Sequence, residues 1–563
     1  MPSGRNPLIS YKVLPAFRSG GPGAPPCGRE EGGRFGEAPW FFAAAVGAVA
    51  FLLPTLRYGM ARDHALFAYY GWMILRGGPL CSNAFVIDMP GAAFLHAAQI
   101  ALLGRSALAM RLMDFAWQAA TTAALYAASR MLFGRLASLM CVWFYAFFYW
   151  NLGYWHTCQR DSFAMIWMLL AMVCLMRHCE EPRAVRWLAG CAAGCAGAVF
   201  FKGHFLILAP LAGAIVFLEY RRRGGKMARA LAGAALLAAA PLVPLALYAI
   251  WHISAGQWER FRDSFIVGNW AYLHASAPRT LPLQPFLDAS RFWLACAAAV
   301  GLLMSGGRAQ PRRRDIGAAF LIVTALIPFV LRRFFEYHFT SFFCVACIFA
   351  GHAAERLSAV VAGVCCEGKP TLAKPARFIF LILIIAPYYA SPAEGPQQFP
   401  KEILALARPG ALRQPVAPVI DEDYQLPVVE AVSSFIAQNT LAGETVAVMD
   451  IDPALLYLAE RLPPHILQSG AMMLIDTGSA AADALFARFR GEYAALFGER
   501  APKFVIVPEG TLCWFYAGGK DVSARIRDFP QIDQALRENY EDMGKSWYYR
   551  IYIRRGDQVA PPR

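Results

Sequence analysis

Charge is scarce in this chain. Only 16% of its 563 residues are Asp, Glu, Lys or Arg, against 57% hydrophobic, and the apolar residues come in blocks. A soluble protein of this length needs more polar surface, so the composition excludes that class and indicates a chain that crosses a membrane several times. The 14 cysteines show no paired metal-ligand spacing. Most, such as Cys191, Cys195, Cys344 and Cys347, fall inside apolar helices, where cysteine packs as a small hydrophobe. Cys365 and Cys366 fall in a predicted cytoplasmic loop, where thiols stay reduced. Cys81 and Cys513 are expected outside, with no bridge between them. No Gly-rich phosphate loop occurs in the C-terminal part, which argues against a nucleotide site there. No tandem repeat is visible, and the two halves of the apolar part lack matching broken helices, which weighs against an inverted-repeat transporter. The net charge of +14 does not imply nucleic acid, because the basic residues sit in short clusters between apolar blocks.

What is present is a series of apolar stretches of about 20 residues, the length that crosses a bilayer core. Residues 1–37, rich in Gly, Pro and Arg, read as a disordered cytoplasmic tail. The run at 39–56 begins too far into the chain for an ordinary cleaved signal and reads as a first span. Further spans are expected near 106–131, 136–155, 161–177, 186–202, 204–220, 229–252, 291–305, 315–331, 338–355 and 376–390. Alternating the chain across the membrane puts Arg130 and Arg135, then Arg177, Arg183 and Arg186, then Arg221–Arg223 and Lys226, on one side. Arg308, Arg312–Arg314, Arg356, Lys369, Lys374 and Arg377 fall on that side too, as the positive-inside rule requires. The expected architecture is a polytopic α-helical membrane protein of about eleven spans over 38–390, amino end inside. From 391 to 563 the composition changes. TVAVMD at 445–450, KFVIVP at 503–508 and WYYRIYIRR at 547–555 read as strands. Helical patterns lie between them at 428–439, 480–497 and 530–540, giving a small extracytoplasmic α/β domain.

With this topology, polar residues from distant parts of the chain gather at the outer ends of the spans. Asp63 and Asp88 lie in the first outer loop, 57–105, which is long and largely apolar, and His64 follows Asp63. Arg160 and Asp161 stand between the third and fourth spans. Lys202 and His204 end the fifth, and Arg332, Arg333, Glu336 and His338 lie between the ninth and tenth. A single charge at a helix end is usually an interfacial anchor. Acids and bases from four separate junctions are harder to dismiss, because ionisable groups at membrane depth are costly.

These residue types suit one chemistry. A sugar linked through phosphate to a lipid carrier needs cations at the phosphate, where Arg offers a planar fork and Lys a point charge. An acceptor hydroxyl needs a carboxylate to take its proton as it attacks the sugar carbon. The lipid phosphate leaves once its charge is held, so no cofactor is required in principle. Asp63 with Asp88 is compatible with a divalent cation but forms no ligand set by itself.

The first outer loop resembles that of polyprenyl-phosphate-sugar glycosyltransferases of the GT-C class, which include protein O-mannosyltransferase-like enzymes and the aminoarabinose transferase of lipid A. Their pattern is an acid after the first span, an amphipathic helix ending in Gly-x-x-Pro, then an acid before Lys-Pro-Pro and a helix. The matching residues are Asp63, then Arg76-Gly77-Gly78-Pro79, then Asp88-Met89-Pro90-Gly91. Ala109-Met110-Arg111-Leu112 is similar to the family's opening of the next span. Gln159-Arg160-Asp161-Ser162 resembles its second outer loop, and Phe201-Lys202-Gly203-His204 its Lys-Pro step. Arg333-Phe334-Phe335-Glu336-Tyr337-His338 is close to an Arg-Phe-Phe-Pro-His-Tyr motif of bacterial members. The resemblance covers the membrane part in order and the outer domain more loosely. It implies inverting transfer of a sugar from a polyprenyl phosphate to an envelope acceptor (lipid, polysaccharide or protein) outside the bacterial cytoplasmic membrane. Asp63 would be the base, with Asp161 and Asp88 as supporting acids. Two positions depart from the pattern. Asp63-His64 stands where members often have Asp-Glu, and Met89 replaces the lysine that would hold the lipid phosphate. Lys202, Arg332, Arg333 and Arg160 are the cations expected in its place. Two competing readings are a lipid or lipid-sugar translocase, which would carry its charges near the midplane, and a non-catalytic envelope assembly protein.

Other features have simpler explanations. Arg111 and Asp114, three apart within a span, are expected to form a buried pair. Gly190, Gly194 and Gly197 are expected at a close helix–helix contact, and Pro241 and Pro244 at a kink. Trp258, Phe261, Phe265, Trp270 and Tyr272 read as an interfacial belt, or alternatively as a lid over the donor.

Overall fold

The computed structural model describes residues 36–274, 288–306, 311–331, 334–366, 370–389, 399–408, 412, 425–450, 453–474, 479–499, 501–509 and 521–559. All but the last two residues of the expected tail, together with Arg332, Arg333 and Cys513, lie outside these.

Each of the eleven apolar stretches folds as helix: Ala38–Leu52, Ala107–Leu132, Arg135–Asn151, Arg160–Glu180, Val185–Phe201, Leu208–Arg222, Met227–Ala239 with Leu242–Ser254, Ala289–Met304, Pro311–Leu331, Thr340–Cys365 and Pro370–Tyr389. Among the described residues four helices are long and apolar enough to cross a membrane, or up to six if each bent pair counts as one span. One pair is Met227–Ala239 with Leu242–Ser254, bent by 45° at Pro241, which has no N–H to continue the ladder. The other is Gly91–Leu103 with Ala107–Leu132, meeting at 117°. Gly104 ends the first of these with φ +87°, and Ser106 starts the second by accepting the N–H of Ala109 at 3.1 Å. The Gly91–Leu103 helix therefore turns sharply away from the span that follows it.

Small residues allow close helix packing. A Cβ on Gly194 would stand 2.5 Å from the Ala171 nitrogen, and one on Gly197 2.4 Å from the Trp167 ring. The expected contact between Arg160–Glu180 and Val185–Phe201 is thus present. Arg111 and Asp114, however, are not hydrogen-bonded or ion-paired with each other. Arg111 is fully buried and donates to the carbonyls of Tyr58, Gly59 and Tyr154 and to Thr157 Oγ1, at 2.7–3.2 Å. Asp114 accepts from the Tyr149 hydroxyl at 2.8 Å and from Gln118 at 3.3 Å. Carbonyls from loops distant in sequence reach the guanidinium, so tertiary contacts override the three-residue spacing.

Ion pairs separate the two ends of the bundle. At one end Glu37 bridges Arg130 and Arg135 at 2.7 and 3.0 Å. Arg313 meets Glu180 there, Arg312 meets Glu219 at 3.0 Å and Arg377 meets Glu355 at 3.6 Å. The opposite end carries the cluster described below.

C-terminal to the bundle, helices Leu426–Asn439, Ala480–Glu499 and Pro530–Asn539 match the expected helical patterns. They accompany a sheet of order β1-β2-β4-β3: β1 is Val446–Val448, β2 Phe504–Pro508, β3 Tyr540–Ser546 and β4 Tyr549–Arg554. β1 and β2 are parallel, and the other pairs antiparallel. β3 was not expected; its sequence YEDMGKS is polar and mostly exposed. The alternating inward residues of β4, Tyr549, Ile551 and Ile553, supply the apolar face. This unit clamps the loop segment around Phe85. Phe85 packs on Phe489 at 5.6 Å, its N–H donates to the Ile466 carbonyl and to Gln468 Oε1, and its carbonyl accepts from Gln468 Nε2.

Candidate active site

The site is built from helix ends. Asp63 is the second residue of helix Arg62–Leu75, where unsatisfied backbone N–H groups favour a carboxylate. The approach to it is held by Arg111, which ties residues 58–59 to the 154–157 turn. From the end of that turn Gln159 donates to Asp63 Oδ2 at 3.3 Å and to the Trp155 carbonyl at 3.0 Å. Asp161 is the second residue of the next long helix, Arg160–Glu180. Its side chain is 2% exposed, with Lys202 Nζ at 2.9 Å and His204 Nε2 at 3.4 Å. Arg160 makes an ion pair with Asp88, and its guanidinium lies 4.7 Å above the Phe67 ring.

Lys202 closes helix Val185–Phe201. Burial pushes its ammonium down to about 8, with Arg160 acting in the same direction and Asp161 and Asp63 against it. The Lys202 Nζ is 5.5 Å from the Tyr337 ring centroid. His338 is buried, 4.5 Å from Tyr337 and 6.4 Å from His204 between ring centroids. Glu336 pairs with Arg291 at 2.6 Å and lies 3.7 Å from His156 Nε2. Burial pushes His156 down to about 4, although Glu336 and Asp63 act to raise it.

The structure therefore brings Asp63, Asp88, Arg160, Asp161, Lys202, His204, Glu336 and His338 to one end of the bundle, in a chain of contacts. His64 does not join them. Its Nδ1 accepts the Ala61 N–H at 3.0 Å and its Nε2–H donates to the Thr157 carbonyl at 2.6 Å. It is fully buried and acts as a helix cap. Arg291, His156, Gln159 and Tyr337 belong to the cluster without having been singled out as candidates. Gln159 and Tyr337 stand inside motifs already noted. Arg291 and His156 carry no local signal, because the carboxylate they share is distant in sequence.

Met89 is buried where the family pattern has lysine. Its Cγ is 3.9 Å from where a Cβ on Gly203 would stand, and a Cβ on Gly91 would stand 2.5 Å from the Phe200 carbonyl oxygen. The 88–91 loop thus rests on the 200–203 turn, and Lys202 adjoins the position of the missing cation. Among the described residues no group of three His, Cys, Asp or Glu side chains is arranged to hold a metal.

The aromatic segment after Ser254 is helical over 258–274 and docks on the first loop. Ser264 bonds Val86, Asn269 donates to the Ile87 carbonyl at 2.6 Å, and Phe261 stacks on Phe265 at 5.2 Å. Trp258 and Trp270 remain exposed. A cleft of about 1010 Å³ is lined by Arg76, Ser82, Asp263, His465 and Arg488 among others, and Asp63 is not part of its lining.

Residues 88–251 match the family described as dolichyl-phosphate-mannose-protein mannosyltransferase. No curated protein matches the sequence. Among solved structures, ArnT from Cupriavidus metallidurans bound to undecaprenyl phosphate aligns at 14% identity with a TM-score of 0.59, covering 94% of this chain and 100% of that one. The oligosaccharyltransferase AglB from Archaeoglobus fulgidus, in complex with an inhibitory peptide and a dolichol-phosphate, aligns at 11% identity with a TM-score of 0.51 over 92% of this chain and 74% of that one. The resemblance to GT-C glycosyltransferases is borne out by the family match over 88–251 and by a fold shared across nine-tenths of the chain.

Proposed function

We propose that the chain is an inverting glycosyltransferase. It moves a sugar from a polyprenyl-phosphate carrier to a lipid, polysaccharide or protein acceptor on the outer face of a bacterial cytoplasmic membrane. Eleven spans, an inside amino end and an outside α/β domain over 391–563 belong to the same reading, supported by the gathering of basic ion pairs at the end opposite Asp63.

The observation that carries the proposal is the placement of Asp63 at a helix N-terminus, with Gln159 on its carboxylate and Lys202 and His156 within its electrostatic reach. Asp63 takes the acceptor hydroxyl proton as that oxygen bonds to the anomeric carbon. The bond from that carbon to the phosphate oxygen breaks, and its electron pair leaves with polyprenyl phosphate. Lys202 holds the leaving phosphate in place of the lysine absent at Met89, with Arg160, Arg332 and Arg333 as further cations. Asp161 orients Lys202 and Asp88 orients Arg160. No step requires a metal in principle, while Asp63 with Asp88 is compatible with a divalent cation; of these two Asp88 is paired with Arg160. In purified protein, Asp63→Asn should preserve folding and lower transfer from a polyprenyl-phosphate sugar by about 10²–10⁴-fold. Near wild-type turnover would overturn the assignment.

A further inference from the structure

Glu336 stands where the resembled motif carries proline. The substitution brings partners that no motif announces. Arg291 opens helix Ala289–Met304, its side chain 7% exposed, and reaches Glu336 Oε2 at 2.6 Å. His156, from the turn before Gln159, lies 3.7 Å from the same oxygen. The buried His156 Nδ1 and Arg291 Nε are without hydrogen bonds. The Glu336 side chain keeps 32% of its exposure. A half-open carboxylate thus stands at one point between a guanidinium and an imidazole that each keep one unused nitrogen.

That point sits beside the phosphate cation. The Tyr337 ring is 5.5 Å from Lys202 Nζ and 5.7 Å from the His156 ring. One glycosyl phosphate can therefore touch both Lys202 and the Glu336 group. Such a group binds hydroxyls: the carboxylate accepts from them, and Arg291 and His156 exchange hydrogen bonds with neighbouring ones. Its charge is already closed, because the guanidinium cancels the carboxylate. An added ammonium would lose its hydration and meet Arg291, and the one further carboxylate that acts on this group, Asp63, is committed to the acceptor hydroxyl.

We propose that Glu336, Arg291 and His156 form the subsite for the transferred sugar, and that this sugar is neutral and hydroxyl-bearing rather than an amino sugar. The proposal rests on the glycosyltransferase reading above. Its test measures binding of purified full-length protein in lipid nanodiscs to bare polyprenyl phosphate, polyprenyl-phosphate glucose, polyprenyl-phosphate mannose and polyprenyl-phosphate glucosamine. At least one neutral sugar lipid should bind about tenfold more tightly than both the bare lipid and the glucosamine lipid. Glu336→Gln should abolish that increment. Because Glu336→Gln leaves Arg291 unpaired and can unsettle the fold, the wild-type comparison is decisive alone. Equal wild-type affinity for bare and sugar-bearing lipids, or preference for glucosamine, overturns the proposal. A sugar increment that survives in Glu336→Gln overturns it as well. Failure of the wild type to bind even bare polyprenyl phosphate overturns instead the glycosyltransferase reading beneath it.

Discussion

Arg160 and Asp88 form an ion pair that ties the first residue of a long helix to the loop before another, with the Phe67 ring under the guanidinium. Both side chains are largely buried, at 16% and 12% exposure, so the pair is poorly screened and each partner depends on the other. Asp88 is also fixed from the far side, since Phe85, three residues earlier, is gripped by Gln468 and Phe489. If Asp88 acts only by aiming Arg160 at the donor phosphate, Asp88→Asn, Arg160→Gln and the double variant should lose similar transfer activity. The coupling energy should be about 1.5–3 kcal/mol. Kinetics of the double-mutant cycle check this. Additive losses would assign the two residues independent roles.

Lys202 adjoins the site of the missing lysine, which suggests a rescue. Lys202→Met removes the cation and leaves Asp161 buried beside the imidazoles of His204 and His338. The variant should lose about 3–5 kcal/mol of stability and bind polyprenyl phosphate about 10²-fold more weakly. Met89→Lys in the same background supplies an ammonium from the facing loop, which rests against Gly203. It should recover most of the affinity, measured by direct lipid binding. A double variant no better than Lys202→Met would show that the two loops do not present their side chains to a common point.

The same lysine predicts a pH limb. Burial pushes the Lys202 ammonium down to about 8. The charged form exists below that value, so the cation is present in neutral solution and is lost as the pH rises through it. Affinity for polyprenyl phosphate should hold steady up to pH ~8 and then fall about tenfold per unit. Lys202→Arg stays charged throughout and should remove the limb. An unchanged limb in Lys202→Arg would assign it to another group.

The long helices were legible because apolar blocks are local properties, readable in windows of one helix length. Strands β1, β2 and β4 were legible for the same reason. β3 was not: YEDMGKS has no apolar alternation and becomes a strand by pairing with β4 across a turn where Trp547 takes φ +57°. In the candidate site, Asp63, Asp88, Asp161 and Lys202 could be chosen because each stands at the edge of an apolar run. What spacing could not show was partnership. Arg111 binds loop carbonyls and not Asp114, and Arg291 and His156 are drawn to Glu336 from other helices. Both are tertiary choices with no trace in the local sequence.

His64 offers the sharpest separation of structural from chemical roles. In the resembled family a glutamate often follows the catalytic acid, and at this position a glutamate would cap the helix by accepting the Ala61 N–H. His64 accepts that N–H through Nδ1 and also donates from Nε2 to the Thr157 carbonyl, joining the start of the Asp63 helix to the turn that leads to Gln159. Burial holds the imidazole well below its ordinary pKa, and the adjacent Arg111 acts in the same direction, so the ring stays neutral and never carries a proton to the site. Glutamine can reproduce both bonds, accepting with its carbonyl and donating with its amide. His64→Gln should therefore keep thermal stability and transfer near wild type. His64→Glu keeps the cap but leaves the Thr157 carbonyl without a donor, and should rank below it. His64→Ala loses both bonds and should cost about 1–2 kcal/mol, with reduced transfer as Asp63 shifts. Thermal unfolding and kcat/KM of the three variants check the order. A His64→Gln protein that folds normally yet loses about 10²-fold or more in transfer would return His64 to the chemistry.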